Sequence, residues 1–188
     1  SLTNQQLQQA AECNVAGQVV INPVTRLAKI NVEVYYTANS AEANNYLTIY
    51  MLQDSIWGSQ SGGSANPEQY VNGQYCHMHI LRSTVTPTWG DQIAPTTAGT
   101  LITKEYMYEI PQSIGDPNGV EVDLDNISFL AFVTESVKTP GNATRPILNA
   151  NKLSQEQNTF ETEKAMLESF GGGFMIARNI DRAKEKHP

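Results

Sequence analysis

Between residues 28 and 37 the chain alternates: Ala28, Ile30, Val32, Val34 and Tyr36 are apolar or aromatic, while Lys29, Asn31, Glu33, Tyr35 and Thr37 fill the positions between. Side chains of an extended strand point to opposite faces in turn, so this pattern specifies a strand buried on one side. The β-compatible run from Cys13 to Ile21 precedes it, and Asn22-Pro23 stops that run at a turn. The two together read as a hairpin.

Further runs of the same kind cover residues 46–53, 75–82, 100–110, 126–135 and 146–153. In the first, Leu47, Ile49 and Met51 share a face; in the fourth, Ile127, Phe129, Ala131 and Val133 oppose Leu130 and Phe132, which predicts a central strand apolar on both sides. Gly115-Asp116-Pro117-Asn118-Gly119 and Pro140-Gly141-Asn142 mark turns between them. Seven strands with no helix between them predict a mainly β fold, an antiparallel sandwich of immunoglobulin-like or jelly-roll type over residues 13–153. Residues 54–73 are punctured by Gly58, Gly62, Gly63, Asn66-Pro67 and Asn72-Gly73 and read as one long loop. Residues 1–12 read as a linker or short helix, with Thr3 and Gln6 forming a weak capping box. Residues 154–188 have helical composition interrupted by Gly171-Gly172-Gly173. They predict a C-terminal helical appendage, docked on the sandwich or on a second copy to make a homo-oligomer.

Composition excludes several function classes. Twelve Lys and Arg against 19 Asp and Glu give a net charge of −7, and the basic residues are scattered, which argues against nucleic acid and against an anionic membrane surface. The 188 residues contain no run long and apolar enough to span a bilayer. A polar remainder weighted to Asn, Gln, Ser and Thr favours an extracytoplasmic protein, and the start Ser-Leu-Thr-Asn has no signal-peptide pattern, as expected of a chain whose signal has been removed. Cys13 and Cys76 are two free thiols or one bridge; spacing leaves both open.

The stretch from Tyr75 to Asp91 holds the most unusual side chains. As one strand it would place Tyr75, His77, His79 and Leu81 on one side and Cys76, Met78, Ile80 and Arg82 on the other. His77 and His79 are candidate metal ligands, but the chain's third histidine is His187 in a charged tail, and packed, hydrogen-bonded histidines are the commoner case. Glu121, Asp123 and Asp125 would share a side of an extended segment and could hold Ca²⁺; a charged edge that discourages strand pairing is the simpler reading. No nucleophile, base and orienting acid can be assembled by spacing, so no cofactor and no catalysis are expected. Trp57, Tyr70 and Trp89 sit among Gly, Ser, Asn and Gln in residues 55–74 and 84–99, the mixture used by binding loops, although aromatic residues beside strands also fill core ends.

Tyr75-Cys76-His77-Met78-His79-Ile80-Leu81-Arg82 followed by Trp89-Gly90-Asp91 resembles the His-x-His-x-Leu-Arg and Trp-Gly-Asp pattern of the Omp28-related outer-membrane proteins of Bacteroidetes. The motif residues are thus His77, His79, Arg82, Trp89 and Asp91. Val32-Glu33-Val34-Tyr35-Tyr36-Thr37, the run from Leu52 to Gly58, residues 127–135 and Ile147-Leu148-Asn149-Ala150 fit the same family in the same order, over about residues 13–153. The resemblance implies a β-rich module that in many relatives follows a thioredoxin-like domain in a secreted or surface-attached protein. This chain has no Cys-x-x-Cys and too little sequence before residue 13 for such a domain, which argues against a redox role. Asp54-Ser55-Ile56 is similar to the O-glycosylation pattern of those bacteria, with Ser55 as acceptor. The functional expectation is a non-catalytic cell-surface or secreted module that binds a protein or glycan. The alternatives are a structural spacer beside a thioredoxin-like domain and a His77/His79 metal-dependent enzyme.

Overall fold

The computed structural model describes residues 10–115, 118–136 and 145–158. The alternating segment forms the expected hairpin: β1 (Cys13–Ile21) and β2 (Leu27–Tyr36) pair antiparallel in unbroken register. Asn22 closes the turn by accepting the Val24 and Thr25 N–H groups on its side-chain oxygen. β3 (Asn45–Gln53) follows, and at its end the chain leaves the main body.

β4 (Ile56–Gly58), β5 (Tyr70–Val71) and β6 (Gln74–His77) form a small sheet in the order β4-β6-β5. Asn72 and Gly73 have φ of 51° and 79°, and this left-handed pair makes the two-residue turn between β5 and β6. β7 (Ile80–Thr84) then returns to pair with β3. Gln53 faces Ile80, and just beyond them Ile56 faces His77. The small sheet is therefore an arm, a continuation of the β3–β7 pair past a narrow neck.

β8 (Asp91–Ile93) pairs with the first residues of β3, and β9 (Leu101–Glu109) pairs with β2. β10 (Ser113–Ile114) and β11 (Val120–Glu121) make a short hairpin. β12 (Ile127–Thr134) lies between β3 and β13 (Ile147–Lys152), the central position that its two apolar faces require. β14 (Ser154–Gln157) completes a sheet of order β14-β1-β2-β9, opposite a second of order β13-β12-β3-β7.

One buried cluster joins the two sheets: Val15, Val19, Ile21, Ile30, Val32, Val34 and Tyr36 from the first, and Leu47, Ile49, Met51, Phe129, Ala131 and Val133 from the second. Each such apolar side chain contributes about 1.5–3 kcal/mol when fully buried. No residue of the arm belongs to this cluster.

Five expectations need correction. The C-terminal helical appendage is not supported: its first residues, Ser154–Gln157, are a strand, and the only helical element among the described residues is a 3₁₀ turn at Gly63–Ala65. The cause is Leu153, which is buried and crosses the edge of β1 at Gly17, bringing the next four residues alongside β1. That pairing is parallel, so the sandwich is not wholly antiparallel. The rest of the expected helical segment, 159–188, and most of the expected N-terminal linker, 1–9, lie outside the described residues.

Residues 75–82 are not one strand either, because the chain breaks at Met78-His79, where His79 has φ of 54°. Residues 54–73 are not one loop but carry β4, β5 and the 3₁₀ turn. Asn72-Gly73 was a hairpin signal whose strands are too short to alternate visibly. Finally, Glu121, Asp123 and Asp125 do not line one face, since only Glu121 is in a strand and residues 123–126 form a turn.

Candidate binding surface

The neck is built from residues that the sequence places 25 positions apart. Ser55 has φ of 60° where the chain enters the arm and His79 has φ of 54° where it leaves, and the Asp54 carboxylate accepts the His79 N–H at 2.6 Å. This bond ties the two crossings together. The His79 imidazole is largely exposed, with Nδ1 3.7 Å from Asp54. His77, by contrast, lies within β6 with its ring edge-on to Tyr75 at 5.1 Å. The two histidines are therefore separated by the neck, and among the described residues no group of three or more His, Cys, Asp or Glu side chains could hold a metal ion.

The arm has two unlike faces. Tyr70, Tyr75 and His77 alternate with Val71, Gln74 and Cys76, and Gly63 packs against the rings of Tyr70 and Tyr75; a Cβ there would stand 2.9 Å from the Tyr70 ring. Tyr70 is thus used in packing the arm's covered face. On the other face Trp57 lies directly across from Cys76. Trp57 is 49% exposed, Val71 48% and Met78 40%. Next to Cys76, the Met78 sulfur approaches the thiol at 4.0 Å.

Arg82 braces the base of the arm. Its Nη1 donates to Gln53 Oε1 at 2.7 Å and its Nη2 to the Val120 carbonyl at 2.8 Å, while Gln53 Nε2 donates to the Glu121 carbonyl. Burial lowers its pKa from the usual arginine value. Arg26 holds the neighbouring segments, donating to the carbonyls of Ile110, Pro111 and Val122. Nothing local in the sequence announces Arg26, because its partners are more than eighty positions away. The Asp123 carboxylate accepts from the Asp125 N–H and the Asn126 amide, and Asp125 accepts from Gln157. Those two acids stabilise a turn.

Trp89 stands at the opposite end of β3. Gly90, at φ of 78°, closes a turn by donating to the Pro87 carbonyl, and a Cβ on it would stand 2.6 Å from Thr48 Oγ1. Trp89 is 63% exposed. Arg145 donates to its carbonyl at 2.8 Å and lays its guanidinium near both the Trp89 and Tyr46 rings. Asp91 follows on β8 and, after burial itself, is what raises the Tyr106 phenol pKa. From Leu47, beside Asp91, to Gln53, beside the neck, the strand rises about 20 Å. Trp57 and Trp89 are therefore not brought together.

Both cysteines are free. Cys13 is buried in the core, and burial, with Glu12 nearby, pushes its pKa up to about 12. Its thiol is packing material.

The sequence pattern of the outer membrane protein Omp28 family matches residues 1–152. The chain belongs to the Omp28 family. A solved domain of the outer membrane lipoprotein Omp28 from Porphyromonas gingivalis is similar at 15% identity and a TM-score of 0.48, covering 80% of this chain and 93% of that one. HBP35 of Porphyromonas gingivalis is similar at 19% identity and a TM-score of 0.57, covering 82% of this chain but 44% of HBP35. At that identity the second likeness concerns the fold alone. No curated protein matches. Membership in Omp28 assigns the chain to an outer membrane family, outside the cytoplasm. Among the described residues no helix is long and apolar enough to cross a membrane.

Proposed function

We propose that this Omp28-family chain is a non-catalytic, outer-membrane-associated interaction module that takes a protein partner on the open face of its arm, with Trp57 as the anchor. The observation that carries this reading is that Trp57, Val71 and Met78 are all about half exposed around the neck and arm. Tyr70 and Tyr75 cover the other face. A cluster of exposed apolar residues on a rigid sheet is a recurrent docking feature, and large aromatic side chains dominate the energetics of such contacts. β4 and β5 each have one neighbouring strand, so a partner strand could also add to the arm.

A second reading, glycan binding, rests on Trp89, whose exposed ring lies beside Tyr46 and Arg145. Aromatic faces pack against sugar rings, and the guanidinium supplies donors for hydroxyls. Ser55 is exposed at the neck and is the acceptor we propose for an O-glycan. The intact mass of the natively expressed protein would exceed the polypeptide mass if that site is used.

The test compares Trp57→Ala and Trp89→Ala variants, each verified as folded, in pull-downs from outer-membrane extracts and on glycan arrays. Capture of a protein partner should drop at least tenfold for Trp57→Ala and be retained by Trp89→Ala. Loss of array binding in Trp89→Ala alone would favour the glycan reading. Equal behaviour of all three proteins would leave a structural spacer as the better account.

A further inference from the structure

We infer that Cys76 and Met78, beside Trp57, form a surface site for a soft monovalent cation, with Cu(I) the preferred ion. The inference starts from the two sulfur atoms, which stand 4.0 Å apart near the neck. With metal–sulfur bonds of about 2.3 Å, one ion bridging them would subtend an S–M–S angle of roughly 120°. Low-coordinate Cu(I) tolerates that angle, so the site is already spaced for the ion. Thiolate and thioether are the two soft protein donors, and together they favour Cu(I) over harder divalent ions.

Trp57 supplies a further observation. It is the direct cross-strand partner of Cys76, a position that puts the two Cβ atoms within about 5.5 Å of each other. A cation held by the sulfurs would therefore sit beside the Trp57 side chain, and tryptophan is the best aromatic partner for a cation. Met78 and Trp57 are open to solvent, so an ion has a path in. Cys13 offers no competing site, because it is buried in the core.

Binding changes no oxidation state. The Cys76 S–H bond breaks, its proton goes to solvent, the thiolate sulfur forms the bond to Cu(I), and Met78 donates a sulfur lone pair. Water or a small exogenous ligand completes the coordination. This proposal stands apart from protein docking: a chain that binds copper but captures no partner, or the reverse, separates the two.

The experiment is an anaerobic titration of the described chain with Cu(I) in competition with bicinchoninate, reading copper transfer and tryptophan emission. One equivalent per chain should bind, with quenching that disappears in Trp57→Phe because Trp89 is at the other end of β3. Cys76→Ser should abolish stoichiometric binding, and Met78→Leu should weaken it at least tenfold with circular dichroism unchanged. Ag(I), a redox-inert surrogate, should shift the Met78 methyl signal in a ¹H–¹³C spectrum of the unsubstituted protein, which reads the site without any mutation. Wild-type affinity in Met78→Leu, an unmoved Met78 methyl, or displacement of the ion by equimolar Zn²⁺ would overturn the proposal.

Discussion

The sandwich and the arm are both β structure, but they are held together differently. In the sandwich, Phe129, Ile30 and Leu47 are fully buried between two sheets, and the alternation of each strand is matched by a second apolar face. The arm has no second sheet; it folds its own tip against Tyr70 and Tyr75 and depends on the neck for its position. Buried apolar area therefore fixes the body, while backbone conformation and a few polar bonds fix the arm. The difference separates a part whose apolar residues are used up in packing from a part that leaves Trp57, Val71 and Met78 exposed.

Phe129→Ala should show the largest effect, a loss of about 3–5 kcal/mol, because the cavity would open between well-packed strands. Chemical denaturation should register it as a lowered midpoint, and a loss below about 1 kcal/mol would mean that the core is elsewhere. Gly90→Ala and Gly73→Ala sharpen the comparison, since both glycines have φ near 80°. In the body the new methyl would meet Thr48 and the Leu47 carbonyl, whereas at the arm's tip nothing lies within 4 Å. The expected costs are about 3 kcal/mol for the first and about 1 kcal/mol for the second. Equal costs would show that the backbone conformation alone decides.

Glu33 gives the body a pH signature. Burial pushes its carboxyl from 4.5 up to about 7, and its Oε2 lacks a hydrogen-bond partner. Between those values the folded chain keeps a proton that the unfolded chain has lost, so stability falls as pH rises through that window and the loss is complete above it. Glu33→Gln should flatten this part of the profile and stabilise the protein at pH 8 by on the order of 2 kcal/mol. Thermal melts of both proteins from pH 4 to 8 check it, and parallel profiles would exclude Glu33 as the source. At the small end, Trp57→Ala should change stability by less than about 0.5 kcal/mol, because its ring is half exposed on the arm. A larger loss would make Trp57 a structural residue and weaken the docking proposal.

The same contrast explains what could be read in the sequence. Strands whose residues alternate against a core, such as β2 and β3, or are apolar on both faces, such as β12, were legible because burial writes the pattern directly. The arm was not, because β4 and β5 are three and two residues long and carry no period. His77 and His79 looked like a pair on one strand; the left-handed backbone of His79, set by a hydrogen bond to Asp54, separates them. Trp57 and Trp89 are both exposed, and their placement at opposite ends of β3 depends on pairings that no local pattern encodes. Ser154–Gln157 has polar, helix-compatible composition and becomes a strand because Leu153 delivers it to an edge.

That last strand also has a mechanical meaning. β14 runs parallel to β1, with Gln18 opposite Ser154 and Ile21 opposite Gln157. Tension applied at Cys13 and at Gln157 would draw the two strands along each other in opposite directions, loading their hydrogen bonds in shear together instead of peeling them open one at a time. Between those two points this short parallel contact would therefore act as a clamp, giving way only when its bonds break together.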